Sequence, residues 1–172
     1  MDGVSNQVEF NYKFTSEEGD IPKKMKKDPS VAMRVEGEFK IKINEIVYFE
    51  ENIALLEFYA SLNEWIKKIK KKNKVAEYRY YTMEYEGDEP IISLIPFDNK
   101  ARLTTIWETQ QLYNVFDLNY IIEQMEMLHE RLGRDIEHYY KISLKNFIGK
   151  IPIKKILIEE KSPLFFRGSF LQ

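Results

Sequence analysis

Cysteine is absent from the 172 residues, which excludes disulfides, thiolate metal ligands and a cysteine nucleophile together. Histidine is almost absent, with only His129 and His138. Nine residues apart on a helical pattern, they point about 180° from one another and cannot share a metal ion. Glu126-Met127-Leu128-His129 has the Glu-x-x-His spacing of di-iron bundles, but such a site needs a second copy on a separate helix with further glutamates. Only a weaker variant, Asp135 to His138, follows on the same helix. The expectation is therefore two surface histidines, with no metal and no cofactor. The seven glycines are dispersed, so no glycine-rich phosphate loop forms, and no Gly-x-Ser-x-Gly elbow presents a serine nucleophile. No stretch approaches the roughly 20 apolar residues that cross a bilayer, and Met1 to Asn6 has neither a basic start nor an apolar run. A cytoplasmic protein with no membrane role is expected.

The material that is present suits a single domain over residues 1–172. With 44% hydrophobic and 31% charged residues, the chain can build a core and keep a polar surface. The net charge of −2 hides a segregation. Residues 53–75 carry six basic and two acidic side chains, residues 76–137 five and thirteen, and residues 138–172 seven and two. The acidic middle disfavours nucleic-acid phosphates and suits a basic protein partner.

Val8, Phe10, Tyr12 and Phe14 alternate with polar residues and predict a strand. Glu17 to Ser30, with Pro22, Pro29 and four lysines, reads as an exposed connection. Alternation from Val31 to Ile43 predicts one long strand, bent at Gly37, that turns at Asn44-Glu45 into a short partner, Ile46 to Phe49. Asn52 is the expected N-cap of an amphipathic helix with Leu55, Tyr59, Leu62, Ile66 and Ile69 on its buried stripe, widened by Phe58 and Trp65. The lysines from Lys67 to Lys74 complement the negative end of its dipole. Three extended runs follow: Ala76 to Tyr85, Ile91 to Phe97 and Ala101 to Trp107. A two-residue turn at Asp98-Asn99 places Leu94 opposite Leu103 and Ile92 opposite Thr105. Trp65 and Trp107 are in phase with apolar faces and are expected in the core. After a connection from Glu108 to Val115, Asp117 caps a second helix, whose stripe runs through Leu118, Ile121, Ile122, Met125, Leu128, Leu132, Ile136 and Tyr139 and breaks near Gly133. Residues 143–172 read as a C-terminal extension, with a strand over Lys154 to Glu160 and an apolar tail, Leu164 to Phe170, able to pack in cis or across a homodimer. Strands in runs with helices between them predict an α+β fold, in which a hairpin and a three-strand meander, mainly antiparallel, pack against two amphipathic helices.

One cluster has the composition of a site. Glu84, Glu86, Asp88 and Glu89 crowd the joint between the first two runs of the meander. Two carboxyls in different environments can divide acid and base roles, so a small hydrolase is one reading. A solvated turn and a partner-binding surface are the others, and for the chain as a whole the remaining reading is a homo-oligomeric structural or regulatory domain held together by its aromatic tail.

The stretch Val31 to Glu51, Leu62-Asn63-Glu64-Trp65-Ile66, Tyr81-Thr82-Met83-Glu84-Tyr85-Glu86, Ile106-Trp107-Glu108 and the helix from Asp117 resemble small uncharacterised bacterial proteins that look like immunity proteins of polymorphic toxin systems. The resemblance covers about residues 31–140. It implies a non-catalytic α+β protein that binds and blocks one toxin, often through an acidic face when the toxin is a basic nuclease.

Overall fold

Asn44 and Glu45 both adopt left-handed backbone, with φ of 50° and 70°, the geometry that closes a two-residue hairpin without splaying its strands. That turn joins β2 (Glu36–Ile43) to β3 (Ile46–Ala54), and β1 (Val8–Phe14) pairs on the far side of β2 to complete a three-stranded antiparallel sheet. The computed structural model describes residues 5–154, so the expected strand beyond Lys154 and the Leu164 to Phe170 tail lie outside the described residues.

The long strand expected from Val31 begins only at Glu36. Pro29–Met33 forms a 3-10 turn whose first free amide, Ser30 N–H, donates to Asp28 Oδ1 at 2.9 Å, and this local capping overrides the alternating pattern. No register shift falls at Gly37. The register slips between Ile41 and Lys42, which face Phe49 and Val47, leaving Tyr48 as the extra residue of β3. Tyr48 and Phe49 are consequently both buried, and the Tyr48 hydroxyl reaches Leu103 O at 3.4 Å in the second sheet. β3 is also longer than expected. Asn52 lies within it opposite Glu38, accepting from Thr15 Oγ1 at 3.1 Å, and caps nothing. The first free amide of α1 (Leu55–Lys72), that of Leu55, donates instead to Val35 O at 2.8 Å.

The second sheet runs in the order β4 (Tyr78–Tyr80), β5 (Ile92–Phe97), β6 (Lys100–Thr105), β7 (Val115–Asp117), all antiparallel. Leu94 faces Leu103 and Ile92 faces Thr105, as the turn chemistry dictates, with Asp98 at φ 52°. The expected first run, Ala76 to Tyr85, shrinks to three residues. The connection ending at Val115 supplies a fourth strand, because Val115 and Phe116 bury themselves against β6.

α2 (Leu118–Tyr140) follows at once. Asp117 precedes it but pairs with Lys100 across the sheet and does not cap; Leu118 N–H donates to Asn99 O at 2.9 Å. The helix runs unbroken through Gly133, where a Cβ would lie 2.7 Å from the Tyr59 ring. Glycine there is a contact residue between helices, not a breaker. The stripe ends on Tyr140, which is fully buried, and not on Tyr139, which is exposed. Tyr140 O accepts from Lys26 Nζ at 3.1 Å, so the lysine-rich segment 17–33 caps α2 and buries Ile21, Val31 and Ala32. The sheet-facing sides of both helices enclose one core centred on Phe39, Phe49, Phe58, Tyr80 and Leu94. Beyond α2, Leu144, Phe147 and Ile151 are buried against it.

α2 also blocks the open edge of β1. Arg131 Nη2 donates to Phe10 O at 2.6 Å and Val8 N–H donates to the Tyr120 hydroxyl at 3.0 Å, which satisfies groups that would otherwise template another strand.

His129 is not the surface residue expected. It is half-buried, stacks on Tyr59 with centroids 4.7 Å apart, and places Nε2 3.0 Å from Asn63 Oδ1. Burial lowers its pKa from the ordinary 6.5; Lys70 and Lys67 add to this and Glu130 opposes it. A folded pKa below the unfolded value means that the unfolded chain takes up the proton first. The stability His129 contributes is then complete above about pH 6.5 and is lost as pH falls through that value toward the folded pKa. Urea midpoints at pH 8 and pH 5.5 should drop further for wild type than for His129→Gln, other titrations cancelling in the difference. Equal drops would mean that the stack carries no proton linkage.

Candidate functional site

Glu84, Glu86, Asp88 and Glu89 lie on an eleven-residue connection, residues 81–91, between β4 and β5. The expected hairpin turn is therefore a longer loop without regular structure, because Tyr81 and Thr82 leave the ladder and bury themselves. All four acidic side chains are exposed. Met83, between them and Thr82, is 51% exposed.

The loop is nonetheless fastened. At its base Ile91 N–H donates to Tyr80 O at 2.7 Å, continuing the β4–β5 ladder. Inside it, Thr82 makes a local turn: its Oγ1 accepts from Glu84 N–H at 3.2 Å and its carbonyl accepts from Tyr85 N–H at 3.3 Å. Tyr85 is half-buried edge-on against Trp107, ring centroids 5.3 Å apart. Lys154 Nζ donates to Tyr85 O at 2.7 Å and to Gly87 O at 3.3 Å, so a residue distant in sequence ties down the middle of the loop.

A further fastening is Glu57, on the first turn of α1, which sequence reasoning missed. Only 2% of it is exposed. Oε2 accepts from Met83 N–H at 3.0 Å and Oε1 from the Tyr80 hydroxyl at 3.2 Å. Burial pushes the Tyr80 phenol far above its ordinary value, and the Glu57 charge adds to the shift, so Tyr80 stays protonated as a donor. Next to it the Tyr78 hydroxyl donates to Ser61 Oγ at 3.1 Å. A glutamate directly after an apolar pair at a helix start gives no local sign that it points inward. Partial burial, then the charges of Glu36 and Glu57, raise the Glu84 carboxyl above the usual carboxylate range.

The two tryptophans part company. Trp65 is 5% exposed, and its indole N–H donates to Ala76 O at 2.9 Å. Trp107 is only half-buried and belongs to the support of the acidic loop as much as to the core. Among the described residues no group of three or more His, Asp or Glu side chains is placed to hold a metal ion, and no helix is long and apolar enough to cross a membrane. A groove of about 320 Å³ between β1 and α2 is lined by Val8, Phe10, Met127, Leu128, Arg131 and Arg134, among others, and none of the four acids reaches it.

Residues 10–138 match the family described as Domain of unknown function (DUF7878). No curated protein and no solved structure matches the chain.

Proposed function

We propose, for a chain that belongs to the DUF7878 family, that it is a non-catalytic protein-binding module of the immunity type. On this reading it blocks a basic toxin domain in the bacterial cytoplasm through the loop at residues 81–91. The observation that supports this is the combination of exposure and order in that loop. Its four carboxylates face solvent while its backbone is tied to Glu57 and Lys154 and its Tyr85 ring packs on Trp107. A loop whose only task is solvation needs no such fastening. A loop that meets a partner gains from it, since less conformational entropy is lost on binding. Exposure of Glu86, Asp88 and Glu89 also weighs against the hydrolase reading, because it leaves the partly buried Glu84 without a second sheltered carboxyl to divide acid and base roles.

Rim charges of this kind act chiefly on association rate and its salt dependence. The probe is a toxin-like domain encoded beside this chain's gene, purified as an inactive variant; a gene neighbourhood with no such domain would count against the reading. Glu84→Gln, Glu86→Gln, Asp88→Asn and Glu89→Gln made together should slow association about tenfold or more at low salt, where the Debye length is roughly 30 Å. The difference should close as salt rises. The fold should be untouched, since exposed substitutions usually stay within about 0.5 kcal/mol. Identical salt slopes for the two proteins would remove the loop from the interface. Unchanged binding with loss of a hydrolytic activity would favour catalysis instead.

A further inference from the structure

We infer that Glu57 is a positioning residue, whose buried carboxylate holds the loop at residues 81–91 in the shape that displays its acids. The inference deepens the binding reading and rests on it for its functional half. Burying a carboxylate is costly unless its oxygens are hydrogen-bonded. Glu57 is the one charged side chain among the buried polar residues described, the others being Asn6, Ser61, Thr82 and Ser93. Among the described residues no lysine or arginine forms an ion pair with it, while Glu36 and Glu84 face the same region with like charge.

An apolar side chain would fill this position without the cost of desolvating a charge. What an apolar side chain cannot do is accept. Both groups aimed at Glu57, the Tyr80 hydroxyl and the Met83 N–H, can donate, and an ionised carboxylate is an acceptor at both oxygens. One oxygen thus grips the last residue of β4 and the other grips the loop three residues on. The position on the first turn of α1 also sets the negative charge at the positive end of the helix dipole. Glu57 therefore ties the start of the helix, the end of the strand and the acidic loop at a single group. With its amide held inward, Met83 turns its side chain out among the acids, 51% exposed.

Amide hydrogen exchange on the free, full-length chain tests this. In wild type the Met83 amide should be protected although it lies in a loop; exchange as fast as in an unstructured peptide would overturn the inference with no variant needed. In Glu57→Leu, protection at Met83, Glu84 and Tyr85 should fall about ten- to hundredfold, as for loss of a hydrogen bond to a charged group. The amides of Leu128 and Leu132 in α2 should be unchanged. Glu57→Gln should recover most of the protection, since its amide oxygen still accepts from Met83 N–H and the Tyr80 hydroxyl can turn to accept from its NH₂. Undiminished protection in Glu57→Leu, or equal loss at Leu128 and Leu132, would show that Glu57 only packs. Because exchange is read without a partner, its outcome is independent of the four-acid experiment, which leaves Glu57 in place. With the partner, Glu57→Leu should dissociate faster while keeping the wild-type salt slope; a loosened loop with unchanged dissociation would sink the functional half.

Discussion

Phe39→Ala should lower stability by about 3–5 kcal/mol, the usual cost of emptying a buried phenylalanine site. For a chain of this length, at about 2–4 °C per kcal/mol, the melting temperature should fall by roughly 6–20 °C. Phe39 is fully buried in the middle of β2. Its ring lies 6.1 Å from Phe10 on β1, 6.2 Å from Phe49 on β3 and 4.9 Å from Phe58 on α1, so one truncation opens a void between all three strands of the first sheet and the helix that covers them. Rigid aromatic neighbours collapse poorly into such a space, which puts the cost toward the upper end. Phe39→Leu should recover a good part of the loss. A fall under about 1 kcal/mol in a denaturant titration, with unchanged slope, would mean that these rings are loosely packed.

Gly37→Ala should cost about 1–3 kcal/mol, although alanine normally favours folding by reducing the entropy of the unfolded chain. The reason is space, since no glycine described has a positive φ. A Cβ on Gly37 would lie 2.3 Å from Leu55 Cδ1 and 2.6 Å from the carbonyl oxygen of Lys13. The leucine can turn aside. The carbonyl belongs to the backbone of β1, where Phe14 is paired with Gly37, and it moves only if the strand does. Gly37→Val should therefore cost more than Gly37→Ala. Gly19, with nothing within 4 Å of its notional Cβ, is the control, and Gly19→Ala should remain within about 0.5 kcal/mol of wild type. If both alanines behave alike in urea, the close approach of β1 and β2 at Gly37 is relaxed in solution.

The acidic residues of the candidate site were legible because charge density needs no fold to be seen. Their support was not. Glu57 looks, in sequence, like any glutamate in a helical first turn, where acids are favoured by the dipole. What marks it is the company of Tyr80 and Met83, 23 and 26 residues further along. Lys154 is likewise a lysine in a basic C-terminal stretch until it meets carbonyls 69 and 67 residues before it.

The same division runs through the fold. Sequence alone determined β1, the turns at Asn44-Glu45 and Asp98-Asn99, the pairing of Leu94 with Leu103, and the two amphipathic helices; each follows from interactions between near neighbours, such as backbone sterics at a turn or the period of apolar side chains. Tertiary structure decided what depends on a distant surface. Asn52 stays in a strand because β2 is there to pair with it, the segment 17–33 caps α2 because Lys26 reaches Tyr140 O, and α2 passes through Gly133 because the ring of Tyr59 fills the space a side chain would take. Local preferences of a few tenths of a kcal/mol per residue set the candidates for each segment, and burial of whole side chains, at about 1.5–3 kcal/mol each, chose among them.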